Sequence, residues 1–242
     1  MKKLILSFTL LIIPFLGQAQ EAKKIDSVAV SLLDRMGDVI GELESCTYNL
    51  DITIDKLNID NNIVKYHGSS SVSLEGPDKL VIRAKGDGGD HGFWYNGEYF
   101  TYYSFNDNTY VTIESSDGIV DVTNAMEDAF GFKFPAMDFF SPTFTDDILK
   151  NFDTIQFLEM KTINGQDSFH LLLTNENINV QIWISNDIQM LPSQIVIIYK
   201  KENNKQFHGT FSDWQLNPEI PNKLFDFSPP PSAKLISILA KS

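Results

Sequence analysis

The apolar positions change period along the chain. Ile25, Val28, Ala29, Leu32, Leu33, Met36, Val39, Ile40 and Leu43 recur at spacings of three and four, with Asp26, Asp34, Arg35, Asp38 and Glu42 on the other face. That stripe predicts a helix over 21–45, weakened in its second half by Gly37 and Gly41. From Thr47 the period falls to two. Tyr48, Leu50, Ile52 and Ile54 alternate with polar neighbours, which predicts a half-buried strand over 47–55. The same reasoning predicts strands over 63–74, 79–85, 92–96, 98–104 and 109–114, and a second set over 154–162, 168–174, 179–185, 193–200 and 206–216. Asn96-Gly97 and Asn164-Gly165 stand between strands, and both residue types tolerate the positive φ of a two-residue hairpin. Asn106-Asp107-Asn108 marks a further turn. In Phe225–Pro231 the prolines lack the ladder donor, so that run cannot continue a central strand.

Between 118 and 150 the strands stop. Val122, Ala125, Met126, Ala129 and Phe130 form a helical stripe, and Phe130, Phe132, Phe134, Phe139, Phe140 and Phe144 crowd into 15 residues with Pro135, Met137 and Pro142. This segment is either the core-facing side of a helix and loop or a lid over an apolar cavity, since both use the same residues. Ile195-Val196-Ile197-Ile198-Tyr199 and Leu171-Leu172-Leu173 are apolar at every position, which implies cover on both faces of those strands. The N-terminal helix and the middle segment are the available cover. A curved sheet holding the helices inside it, or a flat sandwich capped outside, would satisfy this. Ten or eleven antiparallel strands with helices only at the start and in the middle make the fold class α+β, and no linker or repeat divides it.

Composition narrows the function. The 242 residues carry 32 Asp+Glu against 19 Lys+Arg, a net charge of −13, which argues against nucleic acid as a partner. At 43% hydrophobic residues the chain can build a core. Lys2 and Lys3 precede an apolar run over 4–16, and Gly17-Gln18-Ala19 places small residues where a signal peptidase needs them. This predicts a signal peptide over 1–19, cleaved after Ala19, and one mature domain over 20–242. The run is short for a membrane anchor, which takes about 20 residues. Cys46 is the single cysteine, so an internal disulfide is excluded, and a buried core position suits it better than a nucleophile's role.

No nucleophile elbow, phosphate-binding loop or zinc spacing appears among these residues. His67, His91, His170 and His208 fall on separate strands or turns. Gly86-Asp87-Gly88-Gly89-Asp90-His91-Gly92 is the best polar candidate, but four glycines between strands fit a hairpin loop better than a cation site. No catalytic residue, metal or cofactor is therefore expected.

Several motifs together carry a resemblance. They are Gly76-Pro77-Asp78-Lys79-Leu80, Trp94-Tyr95-Asn96-Gly97, Phe134-Pro135-Ala136-Met137-Asp138-Phe139-Phe140, Ile163-Asn164-Gly165, Phe169-His170-Leu171, Val180-Gln181-Ile182-Trp183-Ile184, Leu191-Pro192 through Tyr199, Phe211-Ser212-Asp213-Trp214 and Phe225-Asp226-Phe227-Ser228-Pro229-Pro230. In order and spacing, from Ile25 to Ile236, the chain resembles a family of uncharacterised, predicted periplasmic proteins with a fold like the lipoprotein carriers LolA and LolB. Gly76 departs from the Arg expected before that proline. The resemblance implies a half-barrel, a strongly curved antiparallel sheet wrapped around the N-terminal helix and a central helical lid, with an apolar cavity between.

The function expected on this basis is a periplasmic, non-enzymatic carrier or binder of acyl chains, on a lipid or a lipoprotein. Phe132, Phe134, Met137, Phe139 and Phe140 would gate the cavity. Trp94, Phe100, Tyr102 and Trp183 would form its wall, because Trp and Tyr join an apolar body to a polar tip. The protein is expected to be a monomer. The alternatives are an envelope interaction module that docks a protein partner by strand addition, and an exported hydrolase working around Asp87, Asp90 and His91.

Overall fold

The computed structural model describes residues 23–163 and 165–237. A short strand, β1 (Lys24–Ile25), precedes helix α1 (Ser27–Gly41). Six strands follow: β2 (Ser45–Leu57), β3 (Ile63–Glu75), β4 (Lys79–Gly86), β5 (His91–Asn96), β6 (Tyr99–Ser104) and β7 (Thr109–Glu114). The central segment holds α2 (Ile119–Phe130), a 3-10 turn (Met137–Phe140) and α3 (Phe144–Asn151). Five more strands come next: β8 (Thr154–Ile163), β9 (Gln166–Thr174), β10 (Ile178–Ser185), β11 (Pro192–Tyr199) and β12 (Lys205–Leu216). The last, β13 (Lys234–Leu235), follows a proline-rich tail.

Among the described residues all thirteen strands form one open, curved sheet in the order β1-β8-β9-β10-β11-β12-β2-β3-β4-β5-β6-β7-β13. Two meanders, β2–β7 and β8–β12, join where β12 pairs with β2. β7 and β8 are consecutive in the chain but lie at opposite sides of the sheet. Eleven long strands about 4.8 Å apart extend on the order of 50 Å along the sheet. The segment between β7 and β8 therefore has to cross a whole face.

That face is the core. Its main cluster joins Leu33, Met36 and Ile40 of α1, Val122 and Met126 of α2, and Phe139, Phe144 and Ile148 to the alternate residues of the strands beneath, such as Tyr48, Leu80, Leu171 and Ile182. Asp26 anchors the entry into α1. Its Oδ1 accepts from the Val28 amide at 2.9 Å as an N-cap, and its Oδ2 accepts from the Phe157 amide of β8 at 3.3 Å. The opposite face carries a smaller cluster. There Val81, Trp94 and Tyr103 are covered by Phe225, with Phe227 and Ile220 of the tail packed against them.

The observed long strands begin and end within about two residues of the expected ones. Three expectations need correction. The helix starts at Ser27 rather than near 21, because Lys24–Ile25 pairs in parallel with Thr154–Ile155 of β8. The strand count is thirteen rather than ten or eleven, and the sheet is not wholly antiparallel, since β13 also pairs in parallel, with Thr109–Tyr110. Two-residue pairs are too short to leave a period in the sequence. Cover on both faces holds only in part for β9 and β11: Leu171 and Leu173 are fully buried on the core side, while on the other face Ser168 and His170 are buried but Leu172, Val196 and Ile198 are half-buried. Branched aliphatic residues suit a pleated strand whether or not anything lies above them. The leader over 1–19 and Asn164 of the second hairpin turn lie outside the described residues.

Two substitutions test this core. Leu33→Ala removes a fully buried side chain and is expected to lower stability by about 2–5 kcal/mol in urea denaturation. Asp26→Ala, which removes the N-cap oxygen, is expected to cost about 1 kcal/mol in the same assay.

Candidate ligand cleft

The central segment packs unevenly over the sheet. Gly131 ends α2 in the left-handed conformation at φ 77°, and its amide donates to the Glu127 carbonyl. The chain then turns down onto β5 and β6. Phe132 stacks on Tyr102 with centroids 4.8 Å apart and meets Phe93 edge-on at 5.3 Å. Phe134 meets Phe93 at 5.0 Å and Phe100 at 6.0 Å, both edge-on. This half is filled with interlocked rings.

Ala136, at φ 71°, redirects the backbone into the 3-10 turn. Met137 and Phe139 are buried there. Phe139 meets Phe144 edge-on at 5.4 Å, and Phe140 stacks on Tyr48 at 6.2 Å. The turn leads into α3, whose first-turn Asp146 and Asp147 and last-turn Lys150 complement the helix dipole.

Between α2, α3 and strands β9–β11 the packing stops short, leaving a cleft of about 420 Å³ open on one side. Leu173, Val180, Ile182, Ile195 and Ile197 form its floor. Phe139, Phe144, Ile148 and Phe152 form the wall. Asn124, Asp138, Asp147, Asn151 and Asn175 contribute its polar lining. The volume is that of a small-molecule or single-chain site, which runs from about 300 to 1,000 Å³. Partial desolvation in this lining, followed by the charge of Asp147, raises the Asp138 carboxyl above the ordinary aspartate range, although solvent still reaches it. The Asp147 carboxylate accepts from the Thr143 hydroxyl at 2.7 Å.

Of the nine residues expected to gate or line a cavity, Phe139 lines this cleft. Phe132, Phe134, Met137, Phe140, Phe100 and Tyr102 share its face of the sheet but are packed into or against the core cluster beside it. Trp94 is on the opposite face, with Phe227 at 4.8 Å and the Arg83 guanidinium 4.1 Å from its ring centre. Trp183 alternates with the cluster residues Ile182 and Ile184, so it too points to that opposite face, stacked on His170 at 4.1 Å. The floor was missed, although the apolar run Ile195–Tyr199 signalled it.

In the glycine-rich loop Asp87 and His91 are engaged by neighbouring strands and by the loop's own backbone. The Asp87 carboxylate accepts from the His67 amide, and the His91 ring bonds Tyr102 Oη at 2.9 Å and the Gly88 carbonyl at 3.0 Å. Among the described residues no group of three or more His, Cys, Asp or Glu side chains is placed to hold a metal ion. Burial pushes the Cys46 thiol up to about 12.

Residues 29–239 match the model of a family described as "Predicted periplasmic protein (DUF2092)". No curated protein matches the chain. Among solved structures it is similar to an uncharacterized conserved protein from Thermus thermophilus, at TM-score 0.50 and 8% identity, covering 86% of this chain and 98% of that one. It is also similar to LprF from Mycobacterium bovis, at TM-score 0.45 and 12% identity over 81% and 97% of the two chains. A LolA superfamily protein from Nitrosomonas europaea follows at TM-score 0.40 and 13% identity over 82% and 97%. At 8% identity the likeness to the Thermus thermophilus protein concerns fold alone.

The raised Asp138 carboxyl has a defined linkage. Between the ordinary and the raised value the folded chain binds more protons than the unfolded one, so this group's contribution to stability is complete below the ordinary range and is lost as pH rises through the folded value. Asp138→Asn is therefore expected to raise the urea midpoint at pH 7, with the gain vanishing below about pH 4. Cys46 is expected to resist iodoacetamide at pH 8 until urea unfolds the chain, as read by mass spectrometry, because its thiol is held at about 12.

Proposed function

The chain belongs to the DUF2092 family of predicted periplasmic proteins, and on that footing we propose that it is a non-enzymatic periplasmic binder of hydrocarbon chains, carried on a lipid or a lipoprotein. In this reading a leader cleaved after Ala19 exports it, residues 20–242 act as one domain, and the sheet curves as a half-barrel around α1 and the central segment. The cleft over β9–β11 is the observation that carries the reading. Its floor and wall are aliphatic and aromatic, its polar groups are few, and its mouth is open. Each methylene moved from water into such a site contributes about 0.8 kcal/mol, so part of one chain is enough for useful affinity without any chemistry.

The gating residues then divide by role. Phe132 and Phe134, locked against Phe93, Phe100 and Tyr102, hold the segment to the sheet. Met137 and Phe140 continue that anchor, and Phe139 gives its ring to the cleft wall. Trp94 and Trp183, on the other face, take no part.

Native mass spectrometry of the protein purified from periplasm is expected to show a bound hydrocarbon species. Ile197 is a half-buried floor residue, and Ile197→Trp should fill the cleft, weakening a neutral alkyl fluorophore at least tenfold while the far-ultraviolet dichroism is kept. A protein that purifies empty and binds no such fluorophore would refute the proposal.

A further inference from the structure

The polar groups lining the cleft carry only one sign of charge. Asp138 and Asp147 are its two ionisable lining residues, accompanied by the amides Asn124, Asn151 and Asn175. Among the described residues no Lys or Arg lines it. At its margin Lys200 directs its ammonium to the Thr174 hydroxyl and the Asn175 carbonyl, at 2.5 and 2.6 Å, and Lys23 directs its own to the Leu149 and Lys150 carbonyls of α3, at 2.6 and 2.8 Å. Lys150 lies on α3 but outside the lining. Asp147 has one partner, the Thr143 hydroxyl, and among the described residues no side chain or amide donates to the Asp138 carboxylate.

Within the binding role proposed above, on which this rests, we infer that the cleft selects hydrocarbon chains by the charge of their polar end: it takes those ending in an ammonium or an uncharged hydrogen-bonding group and rejects those ending in a carboxylate or phosphate. A chain lying on the Val180–Ile182–Ile195–Ile197 floor brings its polar end to the acidic lining. An anionic end there meets two carboxylates, while the ammonium groups at the margin, those of Lys23 and Lys200, are already held by backbone carbonyls and the Thr174 hydroxyl. An ammonium supplies the donors that Asp138 lacks, and an alcohol can donate to it or bond the Asn124 and Asn151 amides, the Asn175 side chain being engaged with the Asn151 carbonyl and the Asn177 and Ile178 amides. Because the carboxylates are partly exposed, the selection is expected to weaken as salt shortens the reach of their charge.

The test is displacement of a neutral alkyl fluorophore at pH 7.5 by dodecylammonium, 1-dodecanol and dodecanoate, all below their aggregation limits. Dodecylammonium and dodecanol are expected to displace it at least tenfold more effectively than dodecanoate at 20 mM salt, with the gap narrowing at 0.5 M. In Asp138→Asn/Asp147→Asn the gap between dodecylammonium and dodecanoate should shrink to within about threefold. Dodecanoate binding as well as the other two, or a gap that survives the double substitution, would overturn the selection and leave hydrocarbon binding standing. A fluorophore that never binds would end both.

Discussion

The structure depends on one topological constraint. Strands β7 and β8 follow one another in sequence but sit at opposite sides of the sheet, so the chain between them must run across one face. A segment obliged to cross a hydrophobic surface has to be apolar on its lower side, and this accounts for the phenylalanine crowding between 130 and 144 more directly than any ligand does. Helix α1 comes from the same side: β1 is tied to β8, and α1 carries the chain to β2 at the centre. Both crossings share the face, and together they supply its cover.

The cleft follows from how that cover is distributed. Over β5 and β6 the rings of Phe132 and Phe134 meet the rings of Phe93, Phe100 and Tyr102, and planar groups at edge-to-face distances leave little space. Over β9–β11 the floor is Leu, Val and Ile, whose short side chains do not reach up to α2 and α3. The opening lies where a tall aromatic layer gives way to a low aliphatic one.

Much of this was legible in the residues. The alternation from Tyr48 to Ile54 and the Asn96-Gly97 turn located strands and a hairpin, because period and turn chemistry are local. Strand order was not legible: nothing local says that Phe211 of β12 lies opposite Leu50 of β2, a pairing made by residues far apart in the chain. For the same reason the faces that Trp94 and Trp183 occupy could not be read from the sequence. Each is aromatic and buried, but a shift of one residue along a strand reverses the side it occupies, and only the pairing reveals which side the helices cover. The tail was also opaque, since Phe225 and Phe227 have no period and act by lying under Trp94 and Tyr103.

That tail divides the sheet in a way that bears on its dynamics. Around β4–β6 the backbone lies beneath the central segment on one side and beneath Phe225 and Phe227 on the other, whereas the far side of β9–β11 is shielded only around His170 and Trp183 and leaves Leu172, Val196 and Ile198 half-exposed. Amide protons escape through local opening, and opening is harder where both sides must be peeled away. The slowest-exchanging backbone therefore belongs to the first meander. The second, which carries the floor of the cleft, breathes more readily and can widen without disturbing the rigid half.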